Sequence, residues 1–238
     1  RVLVSIGTIA NTDGLGLENA GIELQSNGGT NVAAGRLLQS GPGGISLRLA
    51  DDALFNGNVI QAPPVSHTAP LSLLLAAGSE LRSAGRIELR AEQINIDGQI
   101  NGLTDREIGI LATNIELGAN AFISNAVGDI AFGGLLDTAV GNPVPHSAER
   151  LIMASGSRLQ TPASVLIASD LMQLADIQAG FTGLYSAGNI GAVNSVNGTS
   201  LSSGALLLHA LGDVNLDWGG GTVAAVVNNG SLALRSDG

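Results

Sequence analysis

The chain of 238 residues holds 34 glycines, 45% apolar and only 3% aromatic side chains, and no cysteine, a makeup of small aliphatic residues and turn formers that argues against one broad globular core and rules out a disulfide scaffold. Ten basic residues, all arginine, stand against twenty acids for a net charge of −10, so no basic stripe is present to hold a phosphate backbone and nucleic acid is not expected as a partner. No stretch of eighteen apolar residues occurs, and membrane insertion by a spanning helix is not expected.

From the amino end, Arg1-Val2-Leu3-Val4-Ser5-Ile6 is too short for the apolar core of a signal peptide. Without an initiator Met the chain reads as an internal piece of a longer protein. Gly21-Ile22-Glu23-Leu24-Gln25-Ser26 and Gly44-Ile45-Ser46-Leu47-Arg48-Leu49 alternate apolar with polar side chains, the period-two pattern of strands with one face buried and one in water. Near 55–70 that pattern is broken by Pro63 and Pro64, with His67 beside them. Proline lacks an amide donor and cannot serve an internal ladder, so this stretch is expected to be a loop. Gly78-Ser79-Glu80-Leu81 follows as a corner where glycine takes a positive φ.

The next segment reveals a repeat. Ile87, Leu89, Ala91, Ile94, Ile96, Gly98 and Ile100 are answered by Ile108, Ile110, Ala112, Ile115, Leu117, Ala119 and Ala121, each twenty-one residues on. Upstream, Ile45, Leu47, Leu49, Gly57 and Val59 precede Ile87, Leu89, Ala91, Gly98 and Ile100 by forty-one or forty-two residues, which counts as two periods. Further corners are expected at Gly118-Ala119-Asn120-Ala121 and Gly156-Ser157-Arg158-Leu159. Between them, near 135–150, Pro143, Pro145 and His146 mark a second loop. Pro64-Val65-Ser66-His67-Thr68-Ala69 resembles Pro143-Val144-Pro145-His146-Ser147-Ala148 at an offset of seventy-nine. Ile87, Leu89, Ile94 and Ile96 match Val165, Ile167, Met172 and Leu174 at seventy-eight. A last alternation runs from Asp213 to Trp218.

Short strands, two or three to each repeat of about twenty-one residues, can pair only with their equivalents one repeat away. The spacing therefore predicts an all-β parallel β-helix of roughly eleven coils, a rod on the order of 50 Å long at the usual strand spacing. Residues 1–238 form a single segment of it. Ile87, Leu89, Ile94, Ile96, Ile108, Ile110, Ile115 and Leu117 are expected to point inward. The two Pro-bearing insertions, with Pro63, Pro64, His67, Pro143, Pro145 and His146, are the expected contact loops.

The phrases Gly78-Ser79-Glu80-Leu81-Arg82-Ser83-Ala84-Gly85-Arg86-Ile87-Glu88-Leu89-Arg90-Ala91 and Gly118-Ala119-Asn120-Ala121-Phe122-Ile123, with Gly128-Asp129-Ile130-Ala131-Phe132 beyond, resemble the repeat unit of filamentous-haemagglutinin-type adhesins of two-partner secretion. The resemblance covers most of the chain. It implies a right-handed helix, a secreted or outer-surface location on a Gram-negative bacterium, and export through an outer-membrane transporter. Attachment to a host or bacterial surface receptor or glycan, or cell–cell contact, would be the task. The same coil serves autotransporter passengers and contact-dependent toxin-delivery stalks.

An enzyme of the pectin-hydrolase kind is the reading from another class. Asn11-Thr12-Asp13 and Asp51-Asp52 resemble two polygalacturonase motifs in which neighbouring carboxylates act as acid and base. The accompanying Gly-His-Gly and Arg-Ile-Lys motifs have no counterpart, so these acids read as polar corner residues and no catalytic residue is expected. His67, His146 and His209 are the only histidines, too few and too scattered for a metal site. His209 falls at an outward strand position, and no metal or cofactor is expected. Asn197-Gly198-Thr199 and Asn229-Gly230-Ser231 read as tight turns rather than glycan acceptors. Trp218 and Tyr185 stand isolated, as corner or packing residues.

Overall fold

The structure is a computed structural model that describes residues 2–5, 15–17, 21–26, 29–49, 54–55, 58–59, 71–134, 147–186, 188–192, 200–210, 224–227 and 232–236. Among them there is no helix. The chain opens with β1 (Val2–Ser5), β2 (Leu15–Leu17), β3 (Ile22–Ser26), β4 (Thr30–Val32), β5 (Leu37–Ser40) and β6 (Ile45–Leu49). A small hairpin, β7 (Leu54–Phe55) and β8 (Asn58–Val59), precedes β9 (Ser72–Leu75), β10 (Glu80–Ser83), β11 (Ile87–Ile96) and β12 (Gln99–Gly102). Then come β13 (Ile108–Leu117), β14 (Phe122–Asn125), β15 (Ile130–Gly133), β16 (Ala148–Met153) and β17 (Arg158–Gln160). The last are β18 (Ser164–Leu174), β19 (Asp176–Ser186), β20 (Asn189–Ala192), β21 (Ser200–Ala210), β22 (Ala224–Val227) and β23 (Leu232–Ser236). Apart from the antiparallel pair β7–β8, the strands join one sheet of 21 strands through parallel pairings.

Those pairings sort into three columns that the chain visits in turn. The first runs β1, β3, β6, β11, β13, β15, β18, β19, β21, β23. The second runs β4, β9, β11, β13, β16, β18, β20. The third runs β2, β5, β10, β12, β14, β17, β19, β21, β22. Long strands serve two columns. In β11 the alternation of buried and half-buried side chains slips at Glu92 and Gln93, which both face out, and it slips again at Thr113 and Asn114 of β13. A double outward step is how a continuous strand turns a corner and still sends its apolar side chains to one interior. Glu92 also caps the neighbouring rung, its Oε2 accepting the Leu71 N–H at 2.8 Å.

Inside, like stacks on like. Ile45, Ile87, Ile108 and Ile130 succeed one another in the first column, and Leu73, Ile94, Ile115 and Leu151 in the second. Ile87, Leu89, Ile94, Ile96, Ile108, Ile110, Ile115 and Leu117 are all buried, as the repeat predicts. Each such side chain contributes about 1.5–3 kcal/mol on leaving water.

Among the described residues Thr182 departs from this rule within the first column. Thr182 lies between Val165 and Leu206, fully buried, and its Oγ1 finds no hydrogen-bond partner. Burying an unpaired hydroxyl is costly, so Thr182→Val is expected to stabilise the fold by about 1 kcal/mol. A higher urea midpoint at unchanged slope would register this; a lower midpoint would mean that the hydroxyl is satisfied after all.

Between the second and third columns the chain makes four-residue turns, Ala76–Ser79, Gly118–Ala121 and Ala154–Ser157, each closed by a backbone hydrogen bond of 3.0 Å. Gly78 and Gly156 take the third place, with φ of 75° and 97°, a backbone region costly for other residues. In the middle turn that place belongs to Asn120 and not to Gly118. There the Asp97 carboxylate accepts from the Asn120 backbone N–H at 2.9 Å and from its side-chain amide.

Two expectations of spacing are corrected. Ile45 is the direct neighbour of Ile87, so the forty-two residues between them are one circuit lengthened by an insertion and not two periods. Val59 belongs to the β7–β8 hairpin opposite Leu54, while Ile100 stacks between Leu81 and Ile123. The offset of seventy-eight that links Ile87 to Val165 spans three rungs, by way of Ile108 and Ile130. The stretch 135–150 is also shorter as a loop than expected, because Ala148 already opens β16 and pairs with Ser169.

Candidate functional site

The expected contact residues Pro63, Pro64, His67, Pro143, Pro145 and His146 lie outside the described residues, as do Asp13, Asp51, Asp52, Asn197, Trp218 and Asn229. What the structure fixes is where the two insertions leave the ladder. One joins β6 to β9 and the other joins β15 to β16, so both depart between the first and second columns. They depart three rungs apart, since β6, β11, β13 and β15 are successive.

A concave surface lies elsewhere, along the outer face of the third column. Gln39, Arg82, Asn101, Ser124, Gln160, Gln178 and Ser202 form one unbroken row through seven strands, each paired in register with the next. They face outward because they alternate with Leu38, Leu81, Ile100, Ile123, Leu159, Ile177 and Leu201, which are buried. The row lines an open groove of about 910 Å³, with Phe122, Leu103 and Pro162 adding apolar surface. Side chains along it hold one another in place. Glu80 Oε1 accepts from Arg82 Nε and from Asn101 Nδ2, each at 2.8 Å, and Asn101 Oδ1 accepts from Ser124 Oγ at 2.7 Å. Further along, the Arg158 guanidinium donates to Gln178 Oε1 at 2.8 Å.

At the inner edge of this groove, where the third column turns towards the first, small polar side chains replace aliphatic ones. Ser40 and Ser83 share a hydrogen bond of 2.8 Å. Asn125, nearly fully buried, donates from Nδ2 to the carbonyls of Arg106 at 2.8 Å and Asp129 at 3.1 Å, and its Oδ1 accepts the Gly128 N–H at 3.0 Å. Thr161 Oγ1 then donates to the Gly128 carbonyl at 2.7 Å. These side-chain bonds supplement the backbone bonds at the corner, where the Gly128 N–H also donates to the Thr104 carbonyl at 3.2 Å and the Asp129 carbonyl also accepts from the Ile108 N–H at 3.0 Å.

A second, apolar depression of about 290 Å³ sits on the outer face of the first column. Leu166 and Leu207 flank Gly183, over which the Leu166 and Phe181 side chains close in, and Tyr185 meets His209 edge to face with ring centroids 5.2 Å apart. His209 thus takes the outward strand position that the sequence predicts, next to the fully buried Leu208. Towards the amino end the same face is charged: Arg48 lies 3.1 Å from Glu88 across one rung, and Arg86 lies 2.9 Å from Glu107. The second pair is exposed and contributes little to stability. Among the described residues no group of three or more His, Cys, Asp or Glu side chains is placed to hold a metal ion.

Fold and surface together define an all-β, parallel-stacked chain whose outer faces differ in chemistry from column to column. Comparison with protein-family models, with curated proteins and with solved structures gave no match.

Proposed function

We propose that the chain is a right-handed parallel β-helix acting as a structural stalk and adhesive segment of a large secreted or cell-surface exoprotein of a Gram-negative bacterium, where it mediates attachment or cell–cell contact. The observation that carries this reading is the set of three columns visited in turn, with like residues stacked inside them. Each circuit supports the next in such a stack, and length is gained without a new core. Division of the chain by its period gives roughly eleven coils; each insertion lengthens a circuit without adding one, which places the number nearer ten. The two insertions leave from one corner, and this favours a contact role for them, since solenoids present binding loops on one side. Export by an outer-membrane transporter, as in two-partner secretion, goes with the resemblance in the repeat phrases.

A carbohydrate-active enzyme is the other reading that the groove brings forward. Hydrolysis needs two carboxyl groups flanking the scissile bond; among the described residues the groove lining includes no Asp or Glu, and Glu80 beside it is engaged by Arg82 and Asn101, which favours binding over cleavage. The test is adhesion. Beads coated with the purified chain are expected to attach to bacterial or epithelial cells above the level of albumin-coated beads, and deletion of residues 52–69 or 135–146 is expected to lower attachment while leaving the β signal in circular dichroism unchanged. Equal attachment of coated and control beads would refute the adhesive reading. New reducing ends released from polygalacturonate would replace it with the enzyme.

A further inference from the structure

We infer that the third-column groove is a binding site for a linear, uncharged polysaccharide. The inference deepens the adhesive reading and rests on it for its purpose at a surface, but the site is argued from its own geometry. Seven rungs contribute one outward side chain each, in register, so the groove repeats along its length at the strand spacing, roughly 29 Å over six steps. A periodic site of that length fits a periodic ligand. An extended glycan presents hydroxyl groups at every residue and asks for donors and acceptors at regular intervals.

The chemistry narrows the ligand further. Gln39, Gln160, Gln178 and Ser202 offer amides and hydroxyls that both donate and accept, which suits hydroxyl groups better than ions. Among the described residues Arg82 is the one cation in the lining, its guanidinium held by Glu80 at 2.7 Å, and Arg158 beside the lining is engaged by Gln178 at 2.8 Å. The chain as a whole carries −10, which repels a polyanion. Phe122 and Leu103, the latter 48% exposed, give the apolar patch on which the C–H face of a sugar ring can rest.

Access is also provided for. Both long insertions leave between the first and second columns, away from this face, and the links from the third column to the first are short, such as Ala84–Arg86 between β10 and β11 and Gly180 alone within β19. Among the described residues the lining runs from Gln39 of β5 to Ser202 of β21.

Affinity electrophoresis of the purified chain through gels containing xyloglucan, mixed-linkage β-glucan, arabinoxylan or polygalacturonate tests this. At least one of the three neutral glycans is expected to retard the protein, and polygalacturonate is not. Gln160→Ala and Gln178→Ala are each expected to weaken binding about fivefold, the equivalent of one hydrogen bond. Phe122→Ala is expected to weaken it as well, whereas Leu207→Ala on the first column leaves it unchanged. The glutamines are outward-facing, so an unchanged urea midpoint for their variants separates binding from folding. The inference is overturned if no neutral glycan retards the chain, if polygalacturonate alone does, or if the Gln160→Ala, Gln178→Ala double variant migrates as the parent does. Coated beads that adhere while no glycan retards the chain would sink the groove and spare the adhesive reading. Retardation without bead adhesion would do the reverse.

Discussion

Ile94→Asp is expected to cost about 4 kcal/mol or more, enough to unfold several circuits at room temperature. Ile94 is fully buried between Leu73 and Ile115, and a carboxylate placed there would have neither water nor a cation. The whole stability of a domain is about 5–15 kcal/mol, so a loss of this size is a large share of it. In a stack of circuits the damage spreads, because each rung is the template for the next. The comparison that gives the result meaning is Leu74→Asp. Leu74 is one residue from Leu73 in β9 but faces out, 37% exposed, and its substitution is expected to stay within about 0.5–1 kcal/mol. Urea midpoints of the two variants measure the difference, and similar midpoints would refute the register.

Asn125→Ala is expected to cost about 3 kcal/mol, the second largest effect of a single change. The amide of Asn125 bonds the carbonyls of Arg106 and Asp129 and the N–H of Gly128; its loss removes these bonds at about 1 kcal/mol each, although the Asp129 carbonyl still accepts from the Ile108 N–H and the Gly128 N–H still donates to the Thr104 carbonyl. Asn125→Asp is expected to be at least as harmful at neutral pH, because the Nδ2 donor becomes an anionic oxygen facing two carbonyls. Ser124→Ala, next in sequence but outward-facing, is expected to change stability by no more than about 0.5 kcal/mol. Thermal unfolding of the three variants checks the ordering; an Asn125→Asp variant as stable as the parent would show that the corner is held in another way.

The interior was legible because two periods coincide there. Strict alternation marks Ile87, Leu89 and Ala91 as facing one way, and the shift of twenty-one residues to Ile108, Ile110 and Ala112 marks them as stacked. The same reasoning misplaced Ile45, since an insertion about as long as one repeat leaves later residues in phase, and sequence spacing alone cannot tell a circuit from a loop of equal length. Only hydrogen-bond register does, and it makes Ile45 and Ile87 neighbours. The groove was not legible for another reason. Its row holds Gln39, Arg82, Asn101, Ser124, Gln160, Gln178 and Ser202, which share polarity but not identity, because outward side chains answer to water and not to a packed neighbour. Asn125 left one trace, Gly128-Asp129 shortly after it, where the chain must bend around an amide.

The direction of the ladder bonds has a mechanical consequence. Every bond in the three columns runs from one circuit to the next, and neighbouring circuits meet over long registers, such as the nine residue pairs that join β11 to β13. A pull along the stack loads all the bonds of a junction together rather than one after another. Under tension the molecule is expected to lengthen little and to give way abruptly, circuit by circuit, while a pull that peels strand from strand at one corner would open it at far lower force.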